Sequence, residues 1–151
     1  MREKNPHDPD ATDRAVARHI LDALPQAVFW KDRDSVYMGC NQAYADAVGV
    51  ADKHDIVGKT DFDLCMTREQ AEGYRRDDDQ VMSSGVPKPG ILETMTFADG
   101  RQAQIETTKI PFMDDTGAVI GVLGVFADVT EREARAQELR EARHILRSDH
   151  A

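Results

Sequence analysis

Between Asp114 and Glu133 the sequence passes from strand chemistry to helix chemistry without a break. Asp114, Asp115 and Gly117 are turn formers, since aspartate bonds its own backbone and glycine accepts positive φ. Val119, Ile120, Val122, Leu123, Val125 and Phe126 follow. A run of mostly β-branched and aromatic residues, apolar at both parities, predicts a strand covered on both faces. Gly121 and Gly124 interrupt it where a bulge, or the close approach of a ligand or another backbone, leaves no room for a side chain. Thr130 with Glu133 three residues on has the capping-box pattern, in which the hydroxyl takes a free helix N–H and the carboxylate reaches back to the cap. A change inside the sheet has a route out along this joint.

The chain before the joint reads as hairpins and helices. Met1 to Asp10 is short, polar and proline-bearing, and is expected to be disordered. Ala15, Val16, His19, Ile20, Ala23 and Leu24 recur at three- and four-residue spacing and predict a helix over 11–24, ended by Pro25. Its stripe needs a partner, either the back of its own sheet or a second copy of the chain. Ala27 to Asp32 and Val36 to Cys40 read as a hairpin, with Phe29 and Lys31 on one face and Val28 and Trp30 on the other. Asn41 caps a short helix that stops at Gly49. Asp55 to Val57 reads as a further helical turn before Gly58. Thr67, with Gln70, opens a helix to Ser84 that turns Ala71, Tyr74, Val81 and Met82 inward and Arg75 to Asp79 outward as a solvated face. Asp61 and Asp63 read as turn and helix-start groups. Three strands close the core, about 91–97, 102–112 and 119–128, followed by a helix from Thr130 to about Arg147. The expected class is α+β, a five-stranded antiparallel sheet with helices gathered on one face and a flanking helix at each end.

Bulk properties set limits. The formal charge is −9 with no basic cluster, which argues against a phosphate-binding surface and leads to the expectation of no nucleic-acid partner. Cys40 and Cys65 have no metal-like spacing, so they are expected as buried or free thiols in a reducing compartment, and no metal site is expected. No apolar run approaches the ~20 residues of a membrane span, and no signal peptide is evident. A cytoplasmic chain with no membrane insertion is the expectation. Nor does any spacing assemble a nucleophile, base and orienter, so no catalytic residues and no enzyme activity are expected.

Asp128-Val129-Thr130-Glu131-Arg132, after its glycine-spotted strand, resembles the close of PAS domains, the sensory boxes of bacterial signal-transduction proteins. Asn41 opening a short helix, Gly58-Lys59-Thr60-Asp61, and Asp99-Gly100-Arg101 before a strand stand in the same order as in that family. The resemblance runs from about Leu21 to Arg132. It implies a core over 25–129, a dimerising helix over 11–24, and a signalling helix over 130–151 leading to an effector such as a histidine kinase, a cyclic-dinucleotide enzyme or a transcription regulator.

By the same resemblance, a small-molecule pocket is lined by Phe29, Lys31, Tyr44, Phe62, Met82, Ile105, Thr107, Lys109 and Phe126. Lysines facing it favour an anionic group unless they snorkel to the rim. Signal relay falls to Asp128, Thr130 and Glu133, and a parallel homodimer to Val16, Ile20, Leu24 and Trp30. The cofactor is left unknown. Asp61 stands where LOV photoreceptors carry their reactive cysteine, and Phe126 stands where they place a flavin-bonding glutamine, so LOV-type photochemistry is not expected. The Thr67–Ser84 helix has no histidine, so histidine-ligated haem is not expected either. The competing reading is a ligand-free dimerisation module with its centre filled by Tyr44, Phe62, Met82 and Phe126; a flavin or haem redox sensor ranks below both.

Overall fold

A computed structural model describes residues 9–64 and 67–149. Residues 1–8, 65–66 and 150–151 lie outside the described residues, and with them the second thiol and most of the expected N-terminal disorder; Pro9 and Asp10, expected to be disordered, instead open the first helix. The elements are α1 (Pro9–Ala23), β1 (Ala27–Asp32), β2 (Tyr37–Cys40), α2 (Gln42–Val48), a 3-10 turn (Lys53–Ile56), α3 (Asp61–Leu64), α4 (Arg68–Ser84), β3 (Lys88–Thr96), β4 (Gln102–Met113), β5 (Val119–Asp128) and α5 (Thr130–Ser148). The strands form one antiparallel sheet in the order β2-β1-β5-β4-β3. This is the α+β class expected, with β5 at the centre.

Local chemistry sets the helix ends. Asn41 Oδ1 accepts from Tyr44 N, and Gly49 closes α2 in the left-handed region at φ 79°. Thr67 caps α4 by accepting from Gln70 N. Asn41 does more than cap. It is buried, its Oδ1 also accepts from Val28 N, and its Nδ2 donates to Leu21 O and Gln26 O, so one amide fastens the end of α1, β1 and α2 together. β3 begins at Lys88 rather than Ile91, because a register shift around Gly90 lets the chain pair once before the regular ladder starts.

The glycines of β5 serve close approach. A Cβ on Gly121 would overlap the Lys31 carbonyl, and one on Gly124 would overlap the Phe29 ring. Both contacts come from β1, the neighbouring strand.

The core has two parts. Phe29, Tyr37, Tyr44, Ala45, Ile56, Ile105 and Phe126 pack between the sheet and α2. Val81 and Met82 of α4 pack on Val122 in a smaller cluster. Neither α1 nor α5 buries a residue: Val16, Ile20 and Leu24 are exposed on α1, and Leu139, Ile145 and Leu146 on α5. Among the described residues no helix is long and apolar enough to cross a membrane, and no group of three or more His, Cys, Asp or Glu could hold a metal ion.

Candidate functional site

Side chains alternate across a strand, so one face of β1 carries Phe29 and Lys31 under the helices, and one face of β4 carries Ile105, Thr107 and Lys109. Loop 58–59 is stitched to β2 by Tyr37 N donating to Lys59 O and Gly58 N donating to Tyr37 O. That stitch presents Asp61 at the start of α3. α4 crosses the sheet near β4 and β5, and its Asp78 lies on the same stripe as Tyr74 and Val81.

Four charges meet beneath α4. Lys31 Nζ donates to Asp61 Oδ2 at 2.6 Å and to Asp78 Oδ2 at 2.8 Å. Lys109 Nζ donates to the other Asp78 oxygen at 2.8 Å and to Tyr74 O at 3.3 Å. All four side chains are buried, Lys31 and Asp78 completely. Asp61 Oδ1 accepts from the Tyr37 hydroxyl at 2.6 Å, which leaves the Tyr44 hydroxyl to donate to Tyr37. The chain Tyr44–Tyr37–Asp61–Lys31–Asp78–Lys109 therefore runs unbroken across the interior.

Burial and charge compete at each member. Burial alone would lower the Lys31 pKa, but Asp61 and Asp78 hold it above its ordinary value. Burial alone would raise Asp78, yet Lys31 and Lys109 bring it below the ordinary carboxylate value. Tyr37 is pushed well up, first by burial and then by Tyr44 and Asp61. Glu93, reaching in from β3, is raised by burial even though Lys109 acts the other way.

Beside this chain lies a cavity of about 40 Å³ lined by Phe29, Lys31, Tyr37, Tyr44, Asp61, Tyr74, Glu93, Met95, Ile105, Thr107, Lys109 and Phe126. Since one water needs ~10–15 Å³ on this measure, there is room for two or three waters or a ligand of a few atoms. The structure thus gathers Phe29, Lys31, Tyr44, Ile105, Thr107, Lys109 and Phe126 in one place.

Two expected lining residues are elsewhere. Phe62 is 50% exposed, because the single turn of α3 sends Asp61 inward and the next residue out. Met82 is buried, but against Val122 at the other end of α4. Sequence reasoning also misses both carboxylates. Asp78 is no part of a solvated face, and Asp61, which opens α3 as a helix-start group, is also a buried partner of Lys31 and Tyr37; Asp63 accepts from Thr60 N at 2.9 Å. The available signal is arithmetic: two lysines directed into a core require counter-charges, and Asp78 falls on the helical stripe of Tyr74 and Val81. Neither lysine snorkels to the rim.

The exit joint is built differently from a capping box. Thr130 Oγ1 donates to Asp128 Oδ1 at 2.6 Å and accepts from Gln104 N, so it is not free to cap α5, and no side chain caps Val129 at the helix start. Asp128 Oδ1 also accepts from Thr130 N, and its Oδ2 pairs with Arg101 at 3.0 Å. Its pKa is lowered, chiefly by Thr130. Val129 N donates to Gln104 O, and Arg132 pairs with Glu106 at 2.5 Å. Glu133 touches Arg132 at 3.7 Å instead of reaching back to a cap. Of the expected interface residues, Val16, Ile20 and Leu24 are exposed along α1, and Trp30 lies half-buried across Gly39 on the outer face of the sheet.

The architecture is a five-stranded sheet with a small cavity under its helices, bordered by aromatic rings and buried charges, and a terminal helix hung from its central strands. A family model described as PAS fold matches residues 21–134, and the chain belongs to the PAS family. The aerobic respiration control sensor protein ArcB of Escherichia coli (strain K12) is 30% identical over 125 residues, covering 83% of this chain and 16% of ArcB. The methanogenesis regulatory histidine kinase FilI of Methanothrix harundinacea (strain 6Ac) is 28% identical over 129 residues, covering 85% of this chain and 14% of FilI. Among solved structures, the Vibrio cholera VqmA–ligand–DNA complex matches with a TM-score of 0.72 at 26% identity, over 84% of this chain and 57% of VqmA. The chain thus spans about a sixth of ArcB and less of FilI.

The VqmA complex overturns one expectation. The net charge of −9 points away from a nucleic-acid partner, yet a structural relative is found in an assembly with DNA. The physical reason is modularity: the charge of a sensory region does not set what the assembly around it contacts.

Proposed function

We propose that this PAS module binds a small molecule in the cavity beneath α4 and relays its occupancy through Asp128 and α5 to an effector, as part of a parallel homodimer. One observation carries the reading. β4 lines the cavity with Ile105, Thr107 and Lys109, while its intervening residues Gln104 and Glu106 hold the start of α5 through Val129, Thr130 and Arg132. A displacement of β4 by a ligand therefore acts on the exit helix directly. A histidine kinase effector is supported by FilI, and ligand binding by the VqmA complex, which holds a ligand. The polar interior, with four committed charges, argues against a centre filled only by apolar side chains. The apolar residues exposed on α1 and α5 supply the material for the dimer.

Hydrogen exchange on Asp128→Ala tests the relay. Losing the carboxylate frees Arg101 and leaves the Thr130 hydroxyl held only by Gln104 N, so the first turns of α5 exchange faster while β1, β4 and β5 keep their protection. Unchanged α5 protection would refute the relay.

A further inference from the structure

The cavity beneath α4 has an outer neighbour, and the two together narrow the ligand, given the pocket reading above. Alone, the inner cavity of about 40 Å³ is far smaller than ordinary small-molecule sites, which run from ~300 to ~1,000 Å³. Beside it lies a chamber of about 370 Å³, between the end of α2, the start of α4 and the tip of the β3–β4 hairpin. Tyr44, Asp61, Tyr74 and Met95 line both spaces, so they form the neck between them. The chamber has a built rim. Ala98 N donates to Ala47 O at 3.0 Å, and Gly49 gives the hairpin room, since a Cβ there would stand 2.8 Å from the Ala98 Cβ.

The chamber's walls are mostly apolar, from Val48, Leu64, Met95 and Phe97. Apart from the tyrosine hydroxyls its polar side chains are Asp61 at the neck, and Gln70 and Thr96, which border the chamber alone. Gln70 and Thr96 serve as donor or acceptor, but Asp61 only accepts. Each of its oxygens takes one hydrogen bond, from the Tyr37 hydroxyl and from Lys31 Nζ. A carboxylate has about four acceptor sites, so about two stay unspent where the two spaces meet. A ligand seated in the chamber therefore meets an acceptor at the neck. We infer that the site takes a ring-sized, mainly apolar molecule with an N–H or O–H at one end, its body in the outer chamber and its donor on Asp61. Such a ligand reaches the exit joint through two side chains. Phe97 lines the chamber, the Arg101 guanidinium lies 4.7 Å from the centre of the Phe97 ring, and Arg101 pairs with Asp128 at 3.0 Å.

Indole and benzofuran share one bicyclic outline, and the first carries an N–H where the second carries an ether oxygen. Each is titrated into the full chain at neutral pH. NMR follows the backbone amides of Gly49, Phe97 and Ala98 at the chamber, those of Ile105, Thr107 and Lys109 at the inner cavity, and the side-chain carboxyl carbon of Asp61. Indole is expected to give saturable shifts at the chamber amides and at the Asp61 carboxyl, and benzofuran to bind at least tenfold more weakly. Gln70→Trp, which fills the chamber from a half-buried position in the first turn of α4, is expected to abolish indole binding. Benzofuran binding as tightly as indole, or an Asp61 carboxyl that indole does not move, overturns the donor assignment and leaves the pocket reading standing. Indole shifts confined to the inner amides, or indole binding that survives Gln70→Trp, overturn the chamber as the ligand's seat, again with the pocket reading standing. Shifts at neither set of amides overturn both.

Discussion

Asp78→Asn removes one charge from the buried quartet and keeps the side chain's shape. Lys31 retains Asp61 at 2.6 Å, but Lys109 is left with the Tyr74 carbonyl at 3.3 Å and no carboxylate within its former reach. Stripping one partner from a buried ion pair costs about 3–5 kcal/mol. A domain's whole stability is about 5–15 kcal/mol. For a chain of this size each kcal/mol moves Tm by about 2–4 °C, so the expected fall is about 6–20 °C. Glu93 feels the Lys109 charge and lines the same cavity, and is therefore the carboxyl placed to take over when ionised. The cost accordingly grows as pH falls through the raised Glu93 value, and is compared at pH 7 and pH 4.5. Adding Lys109→Met to Asp78→Asn restores neutrality and refills the stem's volume, and is expected to recover about 2 kcal/mol as coupling between the two sites. Urea unfolding followed by far-UV circular dichroism measures all three proteins. A single-variant cost under about 1 kcal/mol at both pH values, or a double variant no more stable than the single one, refutes the claim that Asp78 neutralises Lys109.

Two further outcomes follow from the same geometry. The Glu93 carboxyl has a folded-state pKa raised from its ordinary 4.5, so its contribution to stability is fully present below that value and is lost as pH rises through the raised one. Glu93→Gln therefore gains on the wild type between about pH 4.5 and neutrality, and the difference is flat below; a difference that does not change with pH over this window contradicts the burial of Glu93. Gly121→Ala drives a methyl group into the Lys31 carbonyl of the neighbouring strand, where only backbone can give way, so β1 and β5 separate and the folded protein is lost. Gly117→Ala, at φ 84° in an open turn, costs only about 1 kcal/mol in comparison. Equal thermal stability of the two variants would remove the close-approach explanation.

Much of the frame is legible in the sequence, because it rests on local rules. Asn41 with Gly49, and Thr67 with Gly85, announce α2 and α4 by capping chemistry that depends on a few neighbouring residues. Period-two alternation puts Lys31 beside Phe29, and Lys109 beside Thr107, on one face, and the resemblance to PAS domains turns that face toward the cavity. What alternation does not supply is the partner. Asp78 sits in a run of charged residues whose composition points to solvent, and its burial follows from tertiary pairing with lysines 47 and 31 positions away. Phe62 misleads for the opposite reason: an aromatic residue suggests a core, but α3 has a single turn, and Asp61 takes its inward position. At the joint, Thr130 and Glu133 have the spacing of a capping box, yet Asp128 stands two residues ahead and Gln104 lies across the sheet, and both claim the hydroxyl first.

Rigidity is distributed unevenly along the proposed relay, and in a way that suits a switch. The ion pairs around the cavity are buried, and removing a member leaves a charge that the interior cannot solvate, so the pocket wall keeps its shape. The pairs that hold the joint are of another kind. Arg101–Asp128 and Arg132–Glu106 have side chains between 36% and 58% exposed, where water screens charge and the free groups are readily rehydrated. A ligand shifts an equilibrium only by its differential affinity for the two states, typically a few kcal/mol. Energy on that scale is too small to dismantle the quartet but large enough to re-partition weak surface pairs. Lys109, Thr107 and Ile105 face the cavity while Glu106 and Gln104, on the same strand, hold α5, so the proposed relay runs along β4 from the strong end to the weak one. In the proposed relay, output is therefore placed at the Asp128 joint, where the helix can change its attachment while the sheet remains folded.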